Sequence, residues 1–222
     1  MQDFIRSVTP QGWQNQNNLY PPEGSTRHPS VVGSVSFSRE QRMLLKDRQR
    51  RHLRRIAEMR GFAPDAPGRC LWHALAAIRA GQELGVRILP QAGTVCWRIN
   101  DDPEAKINAF GYEWNPDWRA DALNRAVVAD TDLPEIHIWN AVMPVGADPF
   151  LVDFSTEYFP RGCSEPWTAK FPPEVFWLAE DGVELGLERG FAYIPNAEAT
   201  AFSSSRLQHA YRIVYQSGQR LG

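Results

Sequence analysis

Only three cysteines occur in the chain, Cys70, Cys96 and Cys163, an odd number at wide spacing, so no disulfide framework is expected. No apolar run approaches bilayer-spanning length. The segment MQDFIRSVTP carries an acid at its third residue and no apolar core, so neither a membrane span nor a secretory leader is expected. A charge excess is missing as well: 24 Lys and Arg against 26 Asp and Glu leave a net charge of −2, which gives no overall case for a nucleic-acid partner. There is no internal repeat. What is present is a 43% hydrophobic fraction, too high for a disordered chain, spread over 222 residues that suffice for one substantial core. The expectation is a soluble protein made in the reducing cytoplasm, with export by a route that needs no cleaved signal left open.

Residues 1–37, rich in Gln, Asn, Pro and Ser, show no sustained periodicity and read as an extended N-terminal arm. Residues 38–222 read as a single domain. Its first element is a helix over 38–60, opened by Ser38 with Gln41 three residues on, free of Gly and Pro, and stopped by Gly61. Nine Lys or Arg against three acids cover this helix outside a narrow apolar stripe. A polyanion or protein contact through it is one expectation. A solvated face is the favoured one, because no aromatics interleave with the arginines. A second helix runs from Cys70 to Leu84 and is stopped by Gly85, followed by strand-like residues interrupted by Pro90 and Gly93. Residues 100–131 read as an insertion, with a short strand at 110–114 and a helix at 116–128. Short strands are expected at 176–178, 185–193 and 207–215.

The stretch 133–156, LPEIHIWNAVMPVGADPFLVDFST, reads as two strands joined by a turn. His137 and Trp139 share one face of the first strand. With an odd connection, Asp153 falls beside His137 or one diagonal step away on that face, within reach of a side-chain hydrogen bond. A carboxylate on one imidazole nitrogen fixes the tautomer and leaves the other nitrogen to act as a base. Cys70, at the first turn of a helix, is where a thiol ionises most easily. Cysteine, histidine and aspartate then stand in chain order for a catalytic triad.

Cys70 opening CLWHALAAIRAGQELGVRI, His137 in HIWNAV and Asp153 in LVDFST together resemble the transglutaminase-like branch of the papain-like cysteine enzymes. The resemblance spans Cys70 to about Thr156. It implies an α+β fold with helices packed on an antiparallel sheet. It also implies acyl transfer or hydrolysis at an amide bond of a protein or peptide, with Cys70, His137 and Asp153 catalytic and Trp72, His73, Trp139 and Asn140 lining the site. It calls for no metal and no cofactor. Two other readings stay open: an inactive relative that binds a peptide, and a nucleic-acid-binding protein using the helix at 38–60. Several relatives draw an oxyanion donor from a Trp or Gln before the cysteine, and FAPDAPGR has neither; Trp13, Gln41 and Trp97 are the substitutes the sequence offers. His73 is a rival base, three residues along the helix from Cys70. A zinc site is the weaker alternative for these Cys and His residues, since no second compact ligand pair follows Cys70-x-x-His73.

Overall fold

The computed structural model describes residues 37–66, 68–102, 109–112, 136–144, 149–179 and 190–216. Helix α1, Arg39–Arg60, begins at a capping box: the Gln41 N–H donates to Ser38 Oγ, and the Ser38 N–H donates to Gln41 Oε1 at 2.7 Å. It stops at Gly61, whose left-handed φ of 71° lets the Phe62 N–H return to the Ala57 carbonyl at 3.1 Å. Leu45, Gln49, Leu53 and Ile56 recur at helical spacing and are buried. The cations on α1 are largely engaged at home. Lys46 and Arg50 pair with Glu174, Arg48 and His52 with Glu83, and the Arg42 guanidinium lies over Phe150 and Trp177.

Helix α2, Cys70–Leu84, is buried nearly all round, because α1, the sheet and the last helix each cover a side of its run of Ala, Leu and Ile. Short side chains at Ala74, Ala76, Ala77 and Ala80 allow that close approach.

The strands are β1 (Arg87–Arg98), β2 (Ala109–Tyr112), β3 (His137–Met143), β4 (Phe150–Asp153), β5 (Phe176–Ala179) and β6 (Phe191–Pro195). They form one antiparallel sheet in the order β2-β1-β3-β4-β5, with β6 also on β1. Gly93 pairs with both His137 and Pro195, while Val95 pairs with both Tyr112 and Tyr193. Hence β2 and β3 lie end to end along one edge of β1, and β6 takes the other edge.

Strand β1 runs unbroken through Pro90 and Gly93, against the expected interruption. Ala92 N–H donates to Thr200 Oγ1 and its carbonyl accepts from Asn196, so the even-numbered positions turn their backbone groups away from β3. Pro90 therefore lacks an N–H only on an edge where no described strand pairs with it. Gly93 is required by crowding: a Cβ there would sit 2.2 Å from the Ile194 carbonyl oxygen.

A second correction concerns the strand expected at 207–215. Those residues belong to helix α4, Ala197–Tyr211, and to the wider helical turn after it, Arg212–Gln216. Asn196 caps α4 by accepting from the Ala199 N–H, and Ala199, Ser203, Leu207, Ala210 and Val214 form its buried face. The β-branched and aromatic residues at its end mimic a strand, but the three- and four-residue spacing governs. A one-turn helix, α3 (Phe159–Gly162), follows β4.

The sheet thus separates two cores. One, toward α1, α2 and α4, is aliphatic, with Leu45, Leu75, Ile78, Ile138, Val142 and Leu207 among its members. The other is aromatic, built from Trp97, Trp139, Phe159, Phe176 and Tyr193. The protein is α+β with helices packed on an antiparallel sheet. Residues 1–36 of the arm at 1–37, the helix expected at 116–128 and most of the 100–131 insertion lie outside the described residues; Phe37, the last residue of the arm, packs on Phe150.

Candidate active site

Cys70 is the first residue of α2, at the end of the helix that abuts the start of β3. No side chain caps this terminus, and Trp72 and His73 both direct their N–H groups to the Arg69 carbonyl. By helix geometry the Cys70 and Leu71 N–H groups have no acceptor one turn earlier, so they favour negative charge nearby. The thiol lies 3.9 Å from the Ile136 carbonyl oxygen and borders the same cleft as the His137 imidazole.

The β3–β4 register sets the other half. Asn140 pairs with Val152 and Ala141 with Leu151, which places Asp153 opposite Trp139 and one diagonal step from His137 on the aromatic face. His137 Nε2 meets Asp153 Oδ2 at 2.6 Å, with both side chains 1% exposed. The other carboxylate oxygen accepts from the Ser155 N–H at 2.9 Å and from Ser155 Oγ at 2.8 Å. Tyr193 of β6 donates its hydroxyl to Oδ2 at 2.8 Å, and Trp97 Nε1 donates to the Tyr193 oxygen at 3.4 Å.

Burial alone would lower the His137 pKa, but the charge and hydrogen bond of Asp153, joined by Cys70, raise it to about 10. Burial pushes the Asp153 carboxyl up, and the His137 charge together with the Ser155 donors brings it below the usual carboxylate value. At neutral pH the pair is an imidazolium and a carboxylate.

A narrow cleft opens over Cys70 and His137, bordered also by Arg69, Tyr112, Ile136, Ser155, Tyr158 and Phe159. Tyr112 stacks on the His137 ring at 5.6 Å and Phe159 meets it edge-on at 5.0 Å, which fixes the imidazole plane.

The four expected lining residues are not among those that border the cleft. Trp139 supports the His137 ring from behind and bonds Gln91. Asn140 faces the helices and donates to the Ala74 carbonyl, because strand alternation turns it away from His137. Trp72 stacks on Phe62. His73 is buried against Gln49 and Tyr158. Of the expected oxyanion donors, Gln41 is held in the α1 cap and Trp97 bonds Tyr193, while Trp13 lies outside the described residues. Sequence reasoning missed Tyr112, Ser155, Tyr158, Phe159 and Tyr193. Only Ser155 carried a signal, as the Asp-x-Ser spacing of a local side-chain-to-backbone turn.

His73 yields a pH prediction. Burial, the largest cause, lowers it from 6.5 to about 4, against the opposing charge of Asp153. Between those values the unfolded chain takes up a proton that the native imidazole refuses, so stability falls as pH drops through this window and levels below it. The loss attributable to His73 is about 3 kcal/mol. Urea midpoints at both ends of the window, wild type against His73→Gln, should show the variant losing less. Equal losses would contradict a neutral buried His73.

No protein-family model and no curated protein sequence matches the chain. A crystal structure of a structural-genomics target is similar over 85% of this chain and 82% of its own, at 13% identity and a TM-score of 0.45, too slight a likeness to carry an argument.

Proposed function

We propose that the chain is a cysteine enzyme of papain-like, transglutaminase-like architecture that transfers an acyl group from an amide bond of a protein or peptide. The observation that carries this reading is His137, bonded to Asp153 and bordering one cleft with Cys70. In the scheme, the proton of the Cys70 thiol rests on His137 Nδ1, the nitrogen that Asp153 leaves free, and the thiolate sulfur adds to the carbonyl carbon. The tetrahedral oxyanion is stabilised by the N–H groups at the start of α2. Its collapse breaks the C–N bond, and the departing amine takes the proton from His137. Water, giving a proton to His137, then hydrolyses the thioester and frees the thiol; an amine in place of water gives transfer. Asp153 keeps the imidazole oriented and stabilises its charge throughout.

The rival reading, a groove that binds a peptide without chemistry, would suit a sulfur turned away from the imidazole, whereas Cys70 and His137 border the same cleft. The polyanion reading of α1 loses weight because Lys46, Arg48 and Arg50 are paired within the fold.

Iodoacetamide distinguishes an activated thiol from an ordinary one. At about pH 5.5, where an unactivated thiol is almost wholly protonated, rapid labelling confined to the Cys70 peptide is expected, and none there in Cys70→Ala. Labelling of Cys70 no faster than that of Cys163 would remove the basis of the proposal.

A further inference from the structure

The acid of the proposed triad has more partners than a triad needs, and one comes from a distant strand. Tyr193 is fully buried on β6, forty positions beyond Asp153, and is brought there by the β1–β6 pairing in which Val95 faces Tyr193. Its hydroxyl oxygen accepts from the Trp97 indole on the same β1. Indole is a donor only, so the Tyr193 oxygen spends a lone pair on Trp97 and its own proton is directed at Asp153 Oδ2. Oδ1 is already filled by the two Ser155 donors.

We propose that Trp97 and Tyr193 are positioning residues that hold Asp153 as an ionised, acceptor-only group. Every other polar neighbour of the carboxylate then donates, His137 Nε2 must carry a proton, and Nδ1 becomes the nitrogen that serves Cys70. This inference rests on the triad reading above and extends it to residues that touch neither substrate nor thiol. The titratable groups around Asp153 are His137 from β3, Tyr193 from β6 and, behind them on α2, His73 and Cys70. Burial and the Asp153 charge keep the Tyr193 hydroxyl protonated far into the alkaline range, so the donor persists wherever the enzyme works.

The test is the pH profile of Cys70 alkylation by iodoacetamide in wild type, Tyr193→Phe and Trp97→Phe. A hydrogen bond to a buried charge favours the charged form, so its loss in Tyr193→Phe should let Asp153 protonate earlier and move the acid limb up by about one pH unit. Trp97→Phe, which frees the Tyr193 proton to turn away, should move it in the same direction by less. A purely structural role would lower the plateau without moving the limb. Should Tyr193→Phe fail to fold, the Trp97→Phe profile decides alone. Wild-type profiles in both variants, with an activated Cys70 in the wild type, would overturn the positioning role while leaving the triad standing. A wild-type Cys70 without enhanced reactivity would overturn both.

Discussion

Asp153→Asn is expected to lower Cys70-dependent turnover by about 10³- to 10⁴-fold while leaving the fold in place. The size follows from where the amide must point. The Ser155 N–H and hydroxyl require an acceptor at the Oδ1 position, so the asparagine oxygen takes that place and its NH₂ falls where Oδ2 was. That group now donates toward His137 Nε2, which can answer only by giving up its proton. The imidazole is left with its proton on Nδ1, facing Cys70, and cannot take one from the thiol. Steady-state hydrolysis of an activated ester measures the loss. A drop of less than tenfold would mean that Asp153 does not set the tautomer of His137.

The second large effect lies in the scaffold. In Gly93→Ala the new methyl group would meet the Ile194 carbonyl oxygen at 2.2 Å and the Asn196 nitrogen at 2.9 Å, both backbone atoms that no rotamer change can clear. Strands β1 and β6 must separate, at a cost of about 2–3 kcal/mol. The same separation withdraws Tyr193 from Asp153, since the β1–β6 register carries Tyr193 into place. A lower urea midpoint with slower Cys70 alkylation in the folded protein is expected. An unchanged midpoint would show that the close approach at Gly93 is not obligatory.

Local chemistry explains which features could be read from the sequence. The ends of α1 are written in Ser38, Gln41 and Gly61, groups that act within one turn. The diagonal placement of His137 and Asp153 follows from strand alternation and an odd turn, again short-range. Where short-range signals conflicted, the reading failed: Tyr211, Ile213, Val214 and Tyr215 favour a strand by type, and the spacing of Leu207, Ala210 and Val214 on a continuous buried face decides for a helix. Pro90 misled because its cost depends on which edge of β1 it faces, and only the partner strands fix that. The expectation that Asn140 would line the site overlooked the alternation that put His137 on the opposite face. Tyr193 was invisible for a different reason: nothing near it in sequence indicates that β6 will lie on the far edge of β1 and bring its hydroxyl to Asp153. The cleft walls, Tyr112 of β2 and the Tyr158-Phe159 pair that opens α3, come from separate stretches of chain and share the same obstacle.

The central claim is that Cys70 becomes acylated. Brief exposure of the protein to p-nitrophenyl acetate, an acid quench and peptide mass analysis measure this directly. The predicted result is a single hydroxylamine-labile acetyl group on the Cys70 peptide, absent in Cys70→Ala and strongly reduced in His137→Asn. Acetylation spread over lysines, equal in wild type and Cys70→Ala, would contradict the account.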